Sequence, residues 1–208
     1  MQLKNIKKNT AERITNQLSP KLIKDPIFMY FCSDMDKRQK FINAFFGYYL
    51  YEWSEYDTLL CSENRNALIT LINPRTFEYR FKGKGAHALK RFKSSKLILF
   101  HRKTVRGIVH IIAPGSMNPR VLTIYGNAAT DFEEIECLID EAIELSKKEN
   151  ITLVYETFSQ KLIPFMETKG FSIAYQKQYS DTRFTQTIMT FVPDTKPAVL
   201  QKNIEEYE

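Results

Sequence analysis

The stretch "RFKGKGAHALKRF" holds the residues whose spacing comes nearest to a known chemistry. Arg80, Gly83 and Gly85 fit an R-x-x-G-x-G pattern. A loop of that kind turns backbone N–H groups onto a diphosphate at a helix N-terminus. A bare G-x-G in a lysine-rich segment is a weak signal, and a looser anion contact through Lys82 and Lys84 is the other reading. His87, His101 and His110 lie within or beside this segment. None has i, i+4 spacing with another histidine or a carboxylate, so no metal site is expected. His110 is either a general base facing an amine or a histidine making one hydrogen bond. Cys32, Cys61 and Cys137 are odd in number and scattered, and they read as reduced thiols rather than a disulfide frame or zinc ligands. No Ser or Cys nucleophile motif stands out.

Charge frames this segment. Between Arg75 and Arg106 eleven cations face Glu78 alone, so the stretch carries about +10 and the remainder about −4 of a net +6. Such a block either favours an acidic protein or polyanion by its field, or is a solvated helical face. Phe81, Phe92 and Phe100 add a stacking option for single-stranded nucleic acid, without a recognised motif behind it. The hydrophobic fraction is 43%, enough for a real core in a 208-residue chain. No apolar run approaches the roughly 20 residues of a membrane helix, and the start lacks the apolar middle of a secretion signal. A soluble, cytoplasmic protein is the expectation, with no membrane partner.

The elements that must position these groups follow from periodicity. "TAERITNQL" has helical spacing. Asp25 and Pro26 suit a helix start. "SDMDKRQKFINAFFGYYLYEW" predicts a long helix with Phe41, Phe45, Tyr48 and Tyr49 on one face. "DTLLCS" and "NALITLIN" predict an antiparallel hairpin that Pro74 ends. "AHALKRFKSSKLILF" can be helical, "VRGIVHII" is ambiguous, and "APGSMNP" reads as a loop. Then come a strand "RVLTIYG", a helix with Phe132, Ile135, Leu138, Ile139, Ala142 and Ile143 on one side, and a strand "ITLVYET". "SQKLIPFMETKG" predicts a short helix ended by Gly170. Two further strands, "FSIAYQKQY" and "RFTQTIMTFV", follow. Strand, helix, strand implies a right-handed crossover and a parallel pair. The expected fold is α/β (mixed α+β), one domain over 1–192 with 75–112 as a basic insert or helical connection and 193–208 as a polar tail.

Within that frame, Tyr155, Glu156 and Thr157, then Pro164 and Phe165, then Gly170 and Phe171 resemble the C-terminal half of the GNAT N-acetyltransferases. The likeness runs roughly from Ala11 to Val192. It implies a parallel strand pair that splays at one end, with the pantetheine arm of acetyl-CoA in the notch. It implies the pyrophosphate on free amides at the start of the crossover helix, and acetyl transfer to a primary amine. By this resemblance the coenzyme would meet Tyr125, Gly126, Asn127, Thr157 and Phe165. Glu156 stands where the family can place a base, though a carboxylate bonded to backbone is the simpler reading. Tyr125 could supply the acid.

The residues also depart from the family pattern. Its phosphate loop should fall in "GNAATDFEEI", where Thr130, Asp131, Phe132, Glu133 and Glu134 replace glycines and basic or amide residues. Asp131 with Glu134, or Thr130 with Glu133, has the spacing of a capping box, which would occupy the amides a phosphate needs. Each close carboxylate–phosphate pair also costs roughly 3 kcal/mol. Met166 stands at the family's acid position and Leu162 at an asparagine position. Two readings result: an acyltransferase with an atypical coenzyme site, or a non-catalytic binding or regulatory module on the same fold that recognises an anionic partner or small ligand.

Overall fold

Asp34 opens the longest helix. The computed structural model describes residues 1–24, 28–29, 32–74, 118–127, 129–178 and 185–193. In it the Asp34 carboxylate accepts the Lys37 amide at 2.8 Å, a side-chain cap on the first free N–H groups of α2, Met35–Tyr56. Phe41, Ile42, Phe46, Tyr49, Leu50 and Trp53 are buried along one stripe of α2. The side chains of Phe45 and Tyr48 lie outside the described set. The first helix, α1 (Lys8–Leu22), packs beside α2 and buries Ala11, Ile14, Leu18 and Leu22. Arg38 joins the two: its guanidinium donates to the carbonyls of Ile23 (2.6 Å), Cys32 (2.6 Å) and Ser33 (2.7 Å). The predicted helix start at Asp25 and Pro26 lies outside the described residues.

The described strands are β1 (Gln2–Leu3), β2 (Thr58–Cys61), β3 (Leu68–Ile72), β4 (Pro119–Tyr125), β5 (Thr152–Thr157), β6 (Ser172–Gln178) and β7 (Thr185–Phe191). They form one sheet in the order β1-β2-β3-β4-β5-β7-β6. The hairpin β2–β3 is antiparallel, as its turn residues predict. Among the described strands the one parallel pair is β4–β5, joined by α3 (Phe132–Glu149). Asn150, at φ 52°, ends α3 in the left-handed conformation. A short 3-10 turn, Gln160–Leu162, leads into α4 (Ile163–Thr168).

Gly170 closes α4 as its sequence position predicts. At φ +87° it lets the Gly170 amide reach the Glu167 carbonyl at 3.0 Å and the Phe171 amide reach that of Met166 at 3.1 Å. These are the two bonds of a Schellman cap. Phe171 and Met166 are buried in the same cluster, supplying the cap's apolar contact.

The core forms two layers. Leu59, Cys61, Leu68, Ile72 and Tyr125 face α1 and α2, while Leu60, Ile69, Leu71, Leu122, Leu153 and Tyr155 face α3 and α4. Ile135, Leu138, Ile139, Ala142 and Ile143 are buried as their spacing predicts. Phe132 is not: it is 39% exposed. At the first helical position it reaches past the buried stripe and sets its ring edge-on to Phe165, centroids 4.9 Å apart.

One feature of the register governs the site. The parallel ladder of β4 and β5 runs from Pro119↔Thr152 to Leu122↔Tyr155 and stops. Both strands continue, but apart: among the described strands Thr123, Ile124 and Tyr125 pair only with β3, and Glu156 and Thr157 only with β7. The two central strands therefore splay at their C-terminal ends, leaving backbone groups on facing edges outside the ladder.

Candidate functional site at the strand splay

Glu156 sits on the β5 side of the splay. Strand alternation turns it to the face opposite Leu122 and Tyr155, the face that carries α2. Nε2 of Gln186 donates to its Oε1 at 2.5 Å. The side chain keeps a partial opening to solvent, yet desolvation by the protein packed around the carboxyl pushes it up from its ordinary 4.5 to about 7, against the lowering effect of Gln186. A carboxyl poised near neutrality can take or give a proton at working pH.

Tyr125 ends β4 on the same face. Its ring is buried, edge-on to Phe46 at 4.4 Å and stacked on Trp53 at 6.4 Å. Gly126 follows, and a Cβ there would meet Ile135 Cδ1 at 3.3 Å and the Asn66 carbonyl at 3.4 Å. The chain thus passes from β4 to α3 at a close approach that glycine makes room for.

The mouth of α3 differs from the expected capping box. Asp131 is the N-cap residue, but its side chain caps no helix amide. Its carboxylate instead accepts the Asn127 amide at 2.9 Å, the Thr130 hydroxyl at 3.1 Å and the Lys21 ammonium at 2.8 Å. Burial raises its proton affinity, but the bonds from Lys21, Asn127 and Thr130 outweigh this and hold it below the usual carboxylate range. Glu134 is also drawn away from the helix: its Oε1 accepts Asn66 Nδ2 at 3.1 Å and Asn64 Nδ2 at 3.5 Å, while its buried Oε2 has no hydrogen-bond partner among the described residues. The hydrogen bonds of Ser62 and then these asparagines keep its carboxyl low. Tertiary partners from α1 and the β2–β3 turn have won over local capping. Asn127 folds its own loop, its side-chain oxygen accepting the Ala129 amide at 3.0 Å. Lys21 is the residue that sequence spacing missed. It lies 110 positions before Asp131, and no local pattern links them.

The α4 side completes the surround. The Thr157 hydroxyl is turned to the Ser159 backbone, at 3.0 Å from its amide and 3.1 Å from its carbonyl. Phe165 is half-buried against Phe132. Met166 and Leu162 are buried in the α3-side core, so neither stands as a proton donor. Lys169 ties α4 to α3 through Glu136 at 2.9 Å and Asp140 at 2.7 Å; bonds to these carboxylates, Asp140 first, raise its proton affinity.

The fold thus brings Tyr125, Gly126 and Asn127 to one side of the splay and Glu156, Thr157 and Phe165 to the other. Arg80, Lys82, Gly83, Lys84, Gly85 and the three histidines lie outside the described residues. Among the described residues no group of His, Cys, Asp or Glu is placed to hold a metal ion, and no helix is long and apolar enough to cross a membrane.

No protein-family model and no curated protein sequence matches the chain. It is similar to a solved structure described as "The crystal structure of acetyltransferase", with 11% identity, a TM-score of 0.50, and coverage of 92% of this chain and 98% of that one. At that identity the likeness establishes fold alone. The chain has a GNAT-like fold, a single mixed α/β arrangement whose central parallel strands part at one end.

Proposed function

We propose that the chain transfers an acyl group from acetyl-CoA to a primary amine at the splay. The observation that carries this reading is the parting of β4 and β5 with Glu156 on the edge of the gap. Backbone groups of Thr123–Tyr125 and Glu156–Thr157 leave the ladder there, and the two amides of a pantetheine arm have the chemistry to pair with them. Glu156 would take the proton from the amine as nitrogen attacks the thioester carbonyl; the C–N bond forms and the C–S bond breaks. Tyr125, on the same face, is the hydroxyl we assign to returning a proton to sulfur.

The diphosphate fits less well. Phe132, Glu133 and Glu134 offer first-turn amides that no side chain caps, which favours an anion. Asp131, Glu133 and Glu134 set like charge beside them, and Lys21 offsets only Asp131. An atypical, weakened phosphate contact follows. The same acidic anchors favour a second reading, a binding module that keeps the fold without transfer. Thermal unfolding with and without millimolar acetyl-CoA separates the two. Transfer chemistry requires a rise in melting temperature, about 2.7 kcal/mol of stabilisation at one hundred times Kd. No shift would set aside the enzymatic reading.

A further inference from the structure

Among the described residues Gln186 alone bonds the Glu156 carboxyl, its Nε2 donating to Oε1 at 2.5 Å. Register brings the two together. Glu156 pairs with Ile188, and Gln186 lies two positions nearer the start of β7, on the same face and just beyond the last β5–β7 pair, Thr157↔Thr187. It reaches back along the diagonal that long side chains span between antiparallel strands. β7 is paired on both sides, with β5 and with β6. The fully buried Thr187 beside Gln186 accepts Gln176 Nε2 at 3.1 Å and Gln160 Nε2 at 3.5 Å. Gln186 itself is 4% exposed, so its amide is held by packing as well as by its strand. Elsewhere on this face Thr70 Oγ1 and Trp53 Nε1 are buried without a hydrogen-bond partner among the described residues; the carboxyl has one.

The apolar neighbours of Glu156 are the buried Val154 and Ile188. A carboxyl kept in such surroundings for structure alone is matched by a cation, yet among the described residues no ion pair includes Glu156. Burial and then the Gln186 bond account for its proton affinity; Tyr49, Tyr125, Tyr175 and Lys177, the other ionisable groups on this face, do not enter. We propose that Gln186 is the positioning residue of the base: by holding Oε1 it fixes the plane of the carboxyl and leaves Oε2 as the atom that takes the amine proton. The inference rests on the acyl-transfer reading. Oε2 has no hydrogen-bond partner among the described residues, and Glu156 keeps a partial opening to solvent. The proton leaves the amine nitrogen for Oε2 as the C–N bond forms. Oε1 accepts from Nε2 before and after that transfer, so the amide need not turn. A lysine or arginine in place of Gln186 would hold the carboxyl equally well but keep it ionised and weaken it as a base; a neutral amide holds it without that loss.

Gln186→Met keeps an unbranched side chain in the same space and removes the donor. The Glu156 carboxyl is followed across pH by carbon NMR in the full chain, beside pH–rate profiles with acetyl-CoA and ethylamine. The Gln186 bond lowers proton affinity, so its loss should raise the carboxyl's midpoint above the parent's, about 7, and move the rising limb of kcat up with it. On the plateau above that limb kcat should fall about ten- to a hundredfold through lost alignment, and at pH 6 by roughly a further tenfold, with the KM for acetyl-CoA unchanged. In a Glu156→Gln background the same substitution should leave kcat where it was. A purely structural glutamine would lower the melting temperature and kcat in both backgrounds and leave the midpoint in place, and that result overturns the proposal. Gln186→Asn, whose amide stops one methylene short, makes the same test should the methionine variant not fold. If the parent acetylates no amine, the acyl-transfer reading fails by itself. A midpoint raised in Gln186→Met then still upholds Gln186 as the group that fixes the carboxyl, and an unmoved midpoint overturns it.

Discussion

Glu156 binds its proton more tightly in the folded chain than in the unfolded one, and the consequence has a definite sign. Between its ordinary 4.5 and about 7 the native state holds the extra proton. Folding is therefore disfavoured progressively as pH rises through that window, by at most about 3 kcal/mol once both states are ionised. Glu156→Gln keeps the shape and the bond to Gln186 but has no charge to desolvate. The variant should melt higher than the parent at pH 8 and show a flatter stability profile between pH 5 and 7, measured by thermal unfolding across pH. Its kcat should fall by about 10²–10⁴ if the carboxylate is the base, and the parent's rate should climb through pH 7. Glu156 could be singled out from the sequence because a strand-end carboxylate stands out in an apolar run. Thr70 and Trp53 could not. Their interest lies in what they fail to bond, which no sequence pattern shows.

At the scale of elements, local chemistry predicted most of what formed. The β2–β3 hairpin, the β4–α3–β5 crossover and the end of α4 all follow patterns of spacing and turn residues that involve few long-range contacts. The Schellman cap gives a direct check. Gly170→Ala would place a Cβ only in ordinary contact with Phe191, at 3.4 Å, so its cost is almost all backbone: about 1–2 kcal/mol for an L-residue at positive φ. The urea midpoint should drop with the m-value unchanged. The capping box at Asp131 failed for the opposite reason. A side-chain oxygen near a helix start chooses among all donors within reach, and Lys21, Asn64 and Asn66 arrive from other elements. Sequence spacing sees only the local candidates. The splay itself was visible only through the family resemblance, because nothing in "RVLTIYG" or "ITLVYET" marks where their pairing ends.

Across the molecule, the helices that follow the two parted strands are fastened to each other. Phe132 on the first turn of α3 meets Phe165 on α4, and Lys169 links the end of α4 to Glu136 and Asp140. A coenzyme arm threading the splay toward the α3 amides must pass beside the aromatic pair. If the rings have to part, their contact, about 0.5–1.5 kcal/mol for an aromatic pair, is lost on binding. Phe132→Ala removes that contact in advance. The variant should bind acetyl-CoA up to about tenfold tighter by calorimetry, and Phe132's 39% exposure keeps the loss of stability small. Weaker binding would mean that the Phe132 ring holds the ligand instead of obstructing it. Unchanged binding would place the coenzyme's route away from the gap between α3 and α4, and would count against the splay as its seat.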